Sequence, residues 1–317
     1  MELSHEELRN ILSLWDIGTV QELRLINISE NRTYLVDASE KFILRQHRNG
    51  YHTKIEIESE LSWAQSLFDD HIITTPIARA GKNGELVQEV AGTHFALFDF
   101  IEGETPSEND NLVPKFKNLG GIAARTHLHS LSWRRPRGFI RKSWDLDTIL
   151  GQDPFWGRWQ DGPNVTPEVA EVLDQAEKQV RSALTNYGKD KERFGLIHAD
   201  MRLANLLVQD DDLRLIDFDD CGFGWFLFDF AAAVSFIETD PQLPDLLNAW
   251  LAGFEELRAL DDQDRAIIPS LVILRRLQLL AWIGSHMEAT EPTALAPFFA
   301  RETVGLAEEF LAGRFLS

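Results

Sequence analysis

Gly195-Leu-Ile-His198-Ala-Asp200-Met-Arg-Leu-Ala-Asn205-Leu-Leu-Val208, followed after a polar turn by Leu213-Arg-Leu-Ile-Asp217-Phe-Asp219-Asp220, is the stretch from which the rest of the chain is read. Two apolar runs, Leu206–Val208 and Leu213–Ile216, flank Asp210, Asp211 and Asp212, the pattern of a hairpin with a solvated tip. A hairpin centred on Asp211 sets Asn205 and Asp217 opposite each other at its open end. Directly opposed residues have Cβ atoms about 4.5–5.5 Å apart, and both side chains offer hard oxygen donors suited to Mg2+. Asp200, on the loop entering the hairpin, stands beside that metal site without having to be a ligand. This is where a general base works next to a metal-held phosphate.

Upstream of this stretch the chain changes character twice. Ser4 to Trp15 has the period of a short helix, with Ser4 as N-cap and Glu7 three residues on. Leu23–Ile28, Thr33–Asp37 and Phe42–Arg45 are short, rich in β-branched and aromatic residues, and separated by polar turns, as are Glu85–Ala91 and His94–Ile101. One helix, Lys54 to Phe68, interrupts these strands, its apolar stripe being Ile57, Leu61, Ala64 and Phe68 with Glu60 inside it. Glu102-Gly103-Glu104-Thr105-Pro106 then breaks the pattern. Helical periodicity follows at Leu119–Leu131, Glu168–Tyr187, Leu227–Ile237, Leu243–Leu257, Ile267–Met287 and Pro297–Phe315. The expected fold is α+β: a small antiparallel-sheet lobe over residues 1–102, a hinge near 99–103, and a larger helical lobe over 103–317.

His198-x-Asp200-x-x-x-x-Asn205 followed by Ile-Asp217-Phe resembles the catalytic and metal motifs of the protein-kinase-like phosphotransferases. With His-Ala-Asp and Asp-Phe-Asp in place of His-Arg-Asp and Asp-Phe-Gly, the chain is more similar to the aminoglycoside phosphotransferase superfamily. That superfamily includes choline kinases, type II homoserine kinases and the bacterial stress-response kinase A. The resemblance implies ATP and Mg2+ as cofactors, Asp200 as the base, Asn205 and Asp217 as metal ligands, and His198 and Asp229 as structural support. It also implies a cation on the third strand for the nucleotide phosphates, where Phe42-Ile-Leu-Arg45 places Arg45, with Glu60 as its carboxylate partner. Asn31-Arg-Thr-Tyr34-Leu-Val36 is similar to the family's phosphate loop, with the backbone of Ser29 to Arg32, including Asn31 and Arg32, over the phosphates. The Asp99 carbonyl and the Ile101 amide fall where the adenine edge is read. Asp229 lies in an apolar run, where an unpaired charge costs several kcal/mol, and the resemblance implies that its hydrogen-bond donors are backbone amides of the catalytic loop.

Composition narrows the partners. The chain has 317 residues, 44% hydrophobic and 26% charged, an ordinary globular makeup. With 31 Lys plus Arg against 51 Asp plus Glu the net charge is −20, which repels phosphate backbones and anionic lipid, so neither nucleic acid nor a membrane is the expected partner. One cysteine, Cys221, excludes an intrachain disulfide. The acidic N-terminus lacks the marks of a signal or transit peptide, and the cytoplasm is the expected compartment. His127 and His129, two apart on a helix, do not share a face and read as packing and hydrogen-bonding residues.

The acceptor is the open question at this level. Asp219, Asp220, Trp225, Arg275, Trp282 and the segment Asp153–Trp159 are the candidate acceptor-side residues, Arg275 and Trp282 sharing one helix face. The leading reading is a small-molecule hydroxyl kinase of the homoserine or amino-alcohol type. A serine/threonine protein kinase of the stress-response type and a nucleotide-binding pseudokinase are the alternatives, the last suggested by Arg45 and the missing glycines.

Overall fold

The computed structural model describes residues 3–28, 31–210 and 212–316. The chain separates into two units, one running to Gly103 and including Arg134–Arg141, the other holding Glu104–Trp133 and the chain from Lys142 onward.

In the first unit, Ser4 starts α1 (His5–Leu12) with a capping box: its hydroxyl accepts from the Glu7 amide, and the Glu7 carboxylate accepts from the Ser4 amide at 2.8 Å. Then come β1 (Glu22–Ile28), β2 (Arg32–Asp37), β3 (Lys41–Gln46), α2 (Lys54–Asp69), β4 (Ala78–Arg79), β5 (Val87–Val90) and β6 (Thr93–Asp99). The strands pair antiparallel in the order β1-β2-β3-β6-β4, with β5 also on β6. Strand alternation sorts their side chains onto two faces. Phe42, Leu44, Phe95 and Leu97 pack with Leu8, Ile11 and Leu12 of α1, whereas Ala96, Phe98 and Ile43 pack with Ile57 and Leu61 of α2. Arg45 follows the parity of Ile43 and so belongs to the α2 face. The buried stripe of α2 differs from expectation at its end: Trp63 and Leu67 are buried with Ile57, Leu61 and Ala64, while Phe68 is 43% exposed. The segment Arg134–Arg141 is held to α2 by the Ile140 amide donating to Ser59 Oγ (3.0 Å) and by Arg141 Nη1 donating to the Glu56 carbonyl (2.9 Å).

The second unit contains α3 (Val113–Ser132), β7 (Ser143–Trp144), α4 (Leu146–Leu150), α5 (Pro167–Tyr187), β8 (Phe194–Ile197), β9 (Leu206–Gln209), β10 (Asp212–Leu215), β11 (Gly222–Trp225), α6 (Phe228–Ala233), α7 (Leu243–Glu255), α8 (Asp262–Ser285), α9 (Thr290–Leu295) and α10 (Phe299–Leu311). Its β elements are the β9–β10 hairpin and the small sheet β7-β11-β8. Glu104 exchanges two 2.9 Å backbone hydrogen bonds with Val208 of β9, which fastens the start of this unit to the hairpin. α3 and α7 cross with their backbones in contact: a Cβ on Gly120 or Gly253 would collide with the carbonyl of Trp250 or Lys117. α8 is long and apolar enough to cross a membrane, but 89% of its most apolar window is buried inside this unit. It is the core helix, and its charged Arg275 and Arg276 are buried with it.

Two expectations shift locally. The helix read at Leu227–Ile237 is only the six-residue α6, because Phe236 takes φ 74°, a conformation no α-helix continues through. The residues before it form β11, a strand the sequence reading did not assign. An antiparallel-sheet first unit and a helical second unit make the fold α+β, as expected.

Candidate active site

The loop between β8 and β9 carries His198, Asp200 and Asn205, and it is held from beneath by Asp229. That carboxylate, fully buried at the start of α6, accepts from the Ala199 amide (2.7 Å), the His198 amide (3.3 Å) and His127 Nε2 (2.7 Å). Three donors satisfy a charge that burial alone would make costly. They also hold Ala199 at φ 67°, a left-handed conformation a non-glycine residue adopts only under constraint. Because a carboxylate cannot donate, the hydrogen of the His127 contact sits on Nε2. Burial pushes the His127 pKa down, outweighing the opposing pull of Asp229.

His198 ties the two halves of the motif together. Its Nδ1 accepts from the Asp200 amide at 3.2 Å and its Nε2 donates to the Ile216 carbonyl at 3.2 Å, immediately before Asp217. Phe218 packs edge-on against the ring at 4.5 Å. Burial lowers the His198 pKa although Asp229, Asp200 and Asp217 all favour its charged form, so the ring is a neutral brace among three carboxylates.

Asn205 Nδ2 donates to Asp200 twice, to its carbonyl at 2.9 Å and to its Oδ2 at 2.6 Å. Both amide hydrogens are thereby used, and Asn205 Oδ1 is the atom left to face a cation. The hairpin register differs by one from the expected one. Leu206 pairs with Leu215 and the Ile216 amide donates to the Asn205 carbonyl, so Ile216 rather than Asp217 stands opposite Asn205. The turn is shorter than one centred on Asp211, itself outside the described residues. Asp217 leaves the strand at φ 62°, a left-handed turn at the point where the chain departs from the hairpin. Oxygen donors of this kind, an amide oxygen and a carboxylate, fit a hard divalent cation.

In the first unit, Arg45 Nη1 meets Glu60 Oε1 at 2.6 Å with both side chains buried, and the guanidinium lies 4.8 Å from the Phe98 ring. Asn31 Oδ1 accepts from the Arg48 amide at 3.2 Å, which joins the entry of β2 to the exit of β3; Ser29 and Glu30, in the expected phosphate loop, lie outside the described residues. Arg32 opens β2 opposite Gln46. Asp99 ends β6 with its carboxylate ion-paired to Arg79. Among the described residues no backbone acceptor meets the Ile101 amide.

A model of the phosphotransferase enzyme family matches residues 22–260. The chain belongs to this family. A microcompartment-associated aminopropanol kinase has the same fold, with 41% identity, a TM-score of 0.90 and 99% of each chain covered. A homoserine kinase of Gluconobacter oxydans is 26% identical over 91% of each chain. An amicoumacin kinase in complex with AMP-PNP, Ca2+ and Ami superposes with a TM-score of 0.78 over 96% of this chain and 94% of its own, at 18% identity. The protein is a phosphotransferase whose acceptor is a hydroxyl of a small molecule.

Within this phosphotransferase the candidate acceptor residues divide. Arg275 Nη2 ion-pairs with Asp200 Oδ1 at 2.5 Å, and its guanidinium lies 5.6 Å from the Trp156 ring, which is 6.4 Å from Trp282. Trp282 in turn stacks on His286. Trp225 does not join them. It stands opposite Phe194 at the far end of β8 from His198, about 13 Å away at 3.3 Å per residue, and its indole N–H is spent on the Gly188 carbonyl (2.7 Å). It is a packing residue of β11. Asp219 is buried, and the Asp220 carbonyl accepts from Trp144 Nε1 at 2.6 Å. The sequence reading missed His127 as a partner of Asp229 and Arg202 as a neighbour of Asp200 (3.4 Å). A histidine on the buried face of α3 was the available signal for the first. Nothing in the spacing signals the second.

Proposed function

We propose that this chain transfers the γ-phosphoryl group of ATP, with Mg2+, to the hydroxyl of a small amino alcohol in the cytoplasm. The observation that carries the reading is the Asp200–Asn205 contact at 2.6 Å on a loop hung from buried Asp229. In it a base and a cation-facing amide oxygen are fixed by one side chain. Asp200 accepts the proton of the acceptor hydroxyl. Asn205 Oδ1 and Asp217 would hold Mg2+, whose charge when bound neutralises the nucleotide phosphates. Arg45, fixed by Glu60, binds the phosphates from the first unit, with the Asn31–Arg32 turn beside them. The Asp99 carbonyl and the Ile101 amide take the adenine edge.

An amino alcohol is favoured over homoserine by charge. A carboxylate on the acceptor needs an uncommitted cation, whereas Arg275 is paired with Asp200 and Arg202 with Glu291 (2.6 Å). The 41% identity to an aminopropanol kinase supports the same choice. The test is phosphate transfer from ATP or GTP with Mg2+ to 1-amino-2-propanol, ethanolamine and homoserine. Turnover of the amino alcohols is expected, with Asp200→Asn slower by about 10²–10⁴-fold and nucleotide binding retained. Turnover of homoserine alone replaces the acceptor class, and undiminished turnover by Asp200→Asn removes the base.

A further inference from the structure

Arg275 is 2% exposed, and each edge of its guanidinium is committed. Nε donates to Ser235 Oγ (3.1 Å), Nη1 to Gln278 Oε1 (3.1 Å) and Nη2 to Asp200 Oδ1 (2.5 Å). The rings of Trp156 and Phe228 lie 5.6 and 5.9 Å away. A planar fork held at three edges is a fixed reference for whatever it binds. The Asp200 carboxylate is bound at both oxygens: Oδ2 takes Asn205 Nδ2 (2.6 Å) and Arg202 Nε (3.4 Å), and Oδ1 takes Arg275. An ionised carboxylate offers about four lone-pair sites. Asn205 uses one on Oδ2 and Arg275 one on Oδ1, while the Arg202 ion pair lies against Oδ2, so that on Oδ1 one lone pair remains among the described residues.

We infer that Arg275 is a positioning residue that fixes the rotation of the Asp200 carboxylate, so that its one remaining Oδ1 lone pair receives the acceptor hydroxyl beside the Trp156–Trp282 aromatic pair. This rests on the reading of Asp200 as the base. In the step, the acceptor O–H bond breaks and its proton goes to Oδ1. The acceptor oxygen bonds the γ-phosphorus while the bond from that phosphorus to the ADP oxygen breaks, giving phosphorylated acceptor and ADP. Without Arg275 the carboxylate can rotate about its Cβ–Cγ bond around the Asn205 contact, and the open lone pair loses its aim. Misplacement of a reacting group by about 1 Å costs on the order of 10²-fold in rate.

The test is a double-mutant cycle on Asp200 and Arg275, measured on 1-amino-2-propanol, or on the slow hydrolysis of ATP by water if no acceptor is turned over. Arg275→Met is expected to lower kcat by about 30–100-fold with the KM for ATP within about two-fold, and Arg275→Lys, which keeps charge but not the fork, to recover only part of the loss. In the Asp200→Asn background Arg275→Met is expected to cost nothing further, since no base remains to be aimed. Ser235→Ala, which loosens the guanidinium without removing it, is expected to lower kcat several-fold and serves if Arg275→Met does not fold. An Arg275→Met loss of equal size in both backgrounds shows a merely structural residue and overturns the inference, as does unchanged kcat in Arg275→Met or Ser235→Ala. If Asp200→Asn itself turns over fully, the reading of the base has failed instead.

Discussion

The two buried histidines of the site work as neutral braces, and that fixes how the protein responds to acid. His127 and His198 are both pushed below the ordinary imidazole value of 6.5, chiefly by burial. The unfolded chain takes up protons on these rings from about pH 6.5 downward, whereas the folded chain resists doing so. Their contribution to stability is therefore complete above pH 6.5 and is lost as the pH falls below it, by up to about 1.4 kcal/mol per pH unit for each ring. His127→Gln puts an amide N–H where Nε2 donates to Asp229 and removes the titration. Its Tm is expected to fall less steeply than wild type between pH 6.5 and 5, and equal slopes would show that His127 does not titrate with unfolding. Asp229 was legible at this scale because an aspartate in Phe228-Asp229-Phe230 must be satisfied. Its partner His127, 102 residues earlier, was not, because nothing local specifies which donor arrives.

At the scale of elements, the site depends on how closely α3 can approach α7. Two adjacent glycines in the middle of α3 each cost about 1 kcal/mol relative to alanine, and only one has a structural reason. A Cβ on Gly120 would stand 2.8 Å from the Trp250 carbonyl carbon, and closer still to its oxygen, whereas one on Gly121 makes only ordinary contacts, with the end of Arg125 at 3.4 Å and the Gly253 carbonyl at 3.7 Å. Gly120→Ala is expected to destabilise by about 1–3 kcal/mol and to lower activity, since α3 carries His127. Gly121→Ala is expected to be neutral or slightly stabilising, and thermal melts of the pair separate packing from propensity. The β9–β10 hairpin teaches a complementary lesson. Its strands were plain from the apolar runs Leu206–Val208 and Leu213–Ile216 on either side of a polar turn, but its register turned on the length of the turn, and a one-residue slip changes which residues face each other.

For the molecule as a whole, a chain of net charge −20 that binds a nucleotide polyanion needs the charge of a divalent cation as well as local arginines. ATP with Mg2+ at a hundred times its Kd is expected to stabilise the fold by about 2.7 kcal/mol. Chelating the metal should abolish most of that shift in Tm, and Asp217→Asn should show little difference with or without Mg2+; an undiminished metal-dependent shift would remove Asp217 from the metal site. The sequence by itself determined the α+β architecture through short-range periodicity, the stretch around Asp200 through its resemblance to a known family, and the pairing of Arg45 with Glu60 through that resemblance and the need of buried charge for a partner. Only the tertiary structure decided that Arg275 reaches Asp200, that Trp225 is packing, and that His127 supports the loop. Those contacts join residues dozens of positions apart, and which of several compatible partners meet is set by how the helices pack, a property no local stretch encodes.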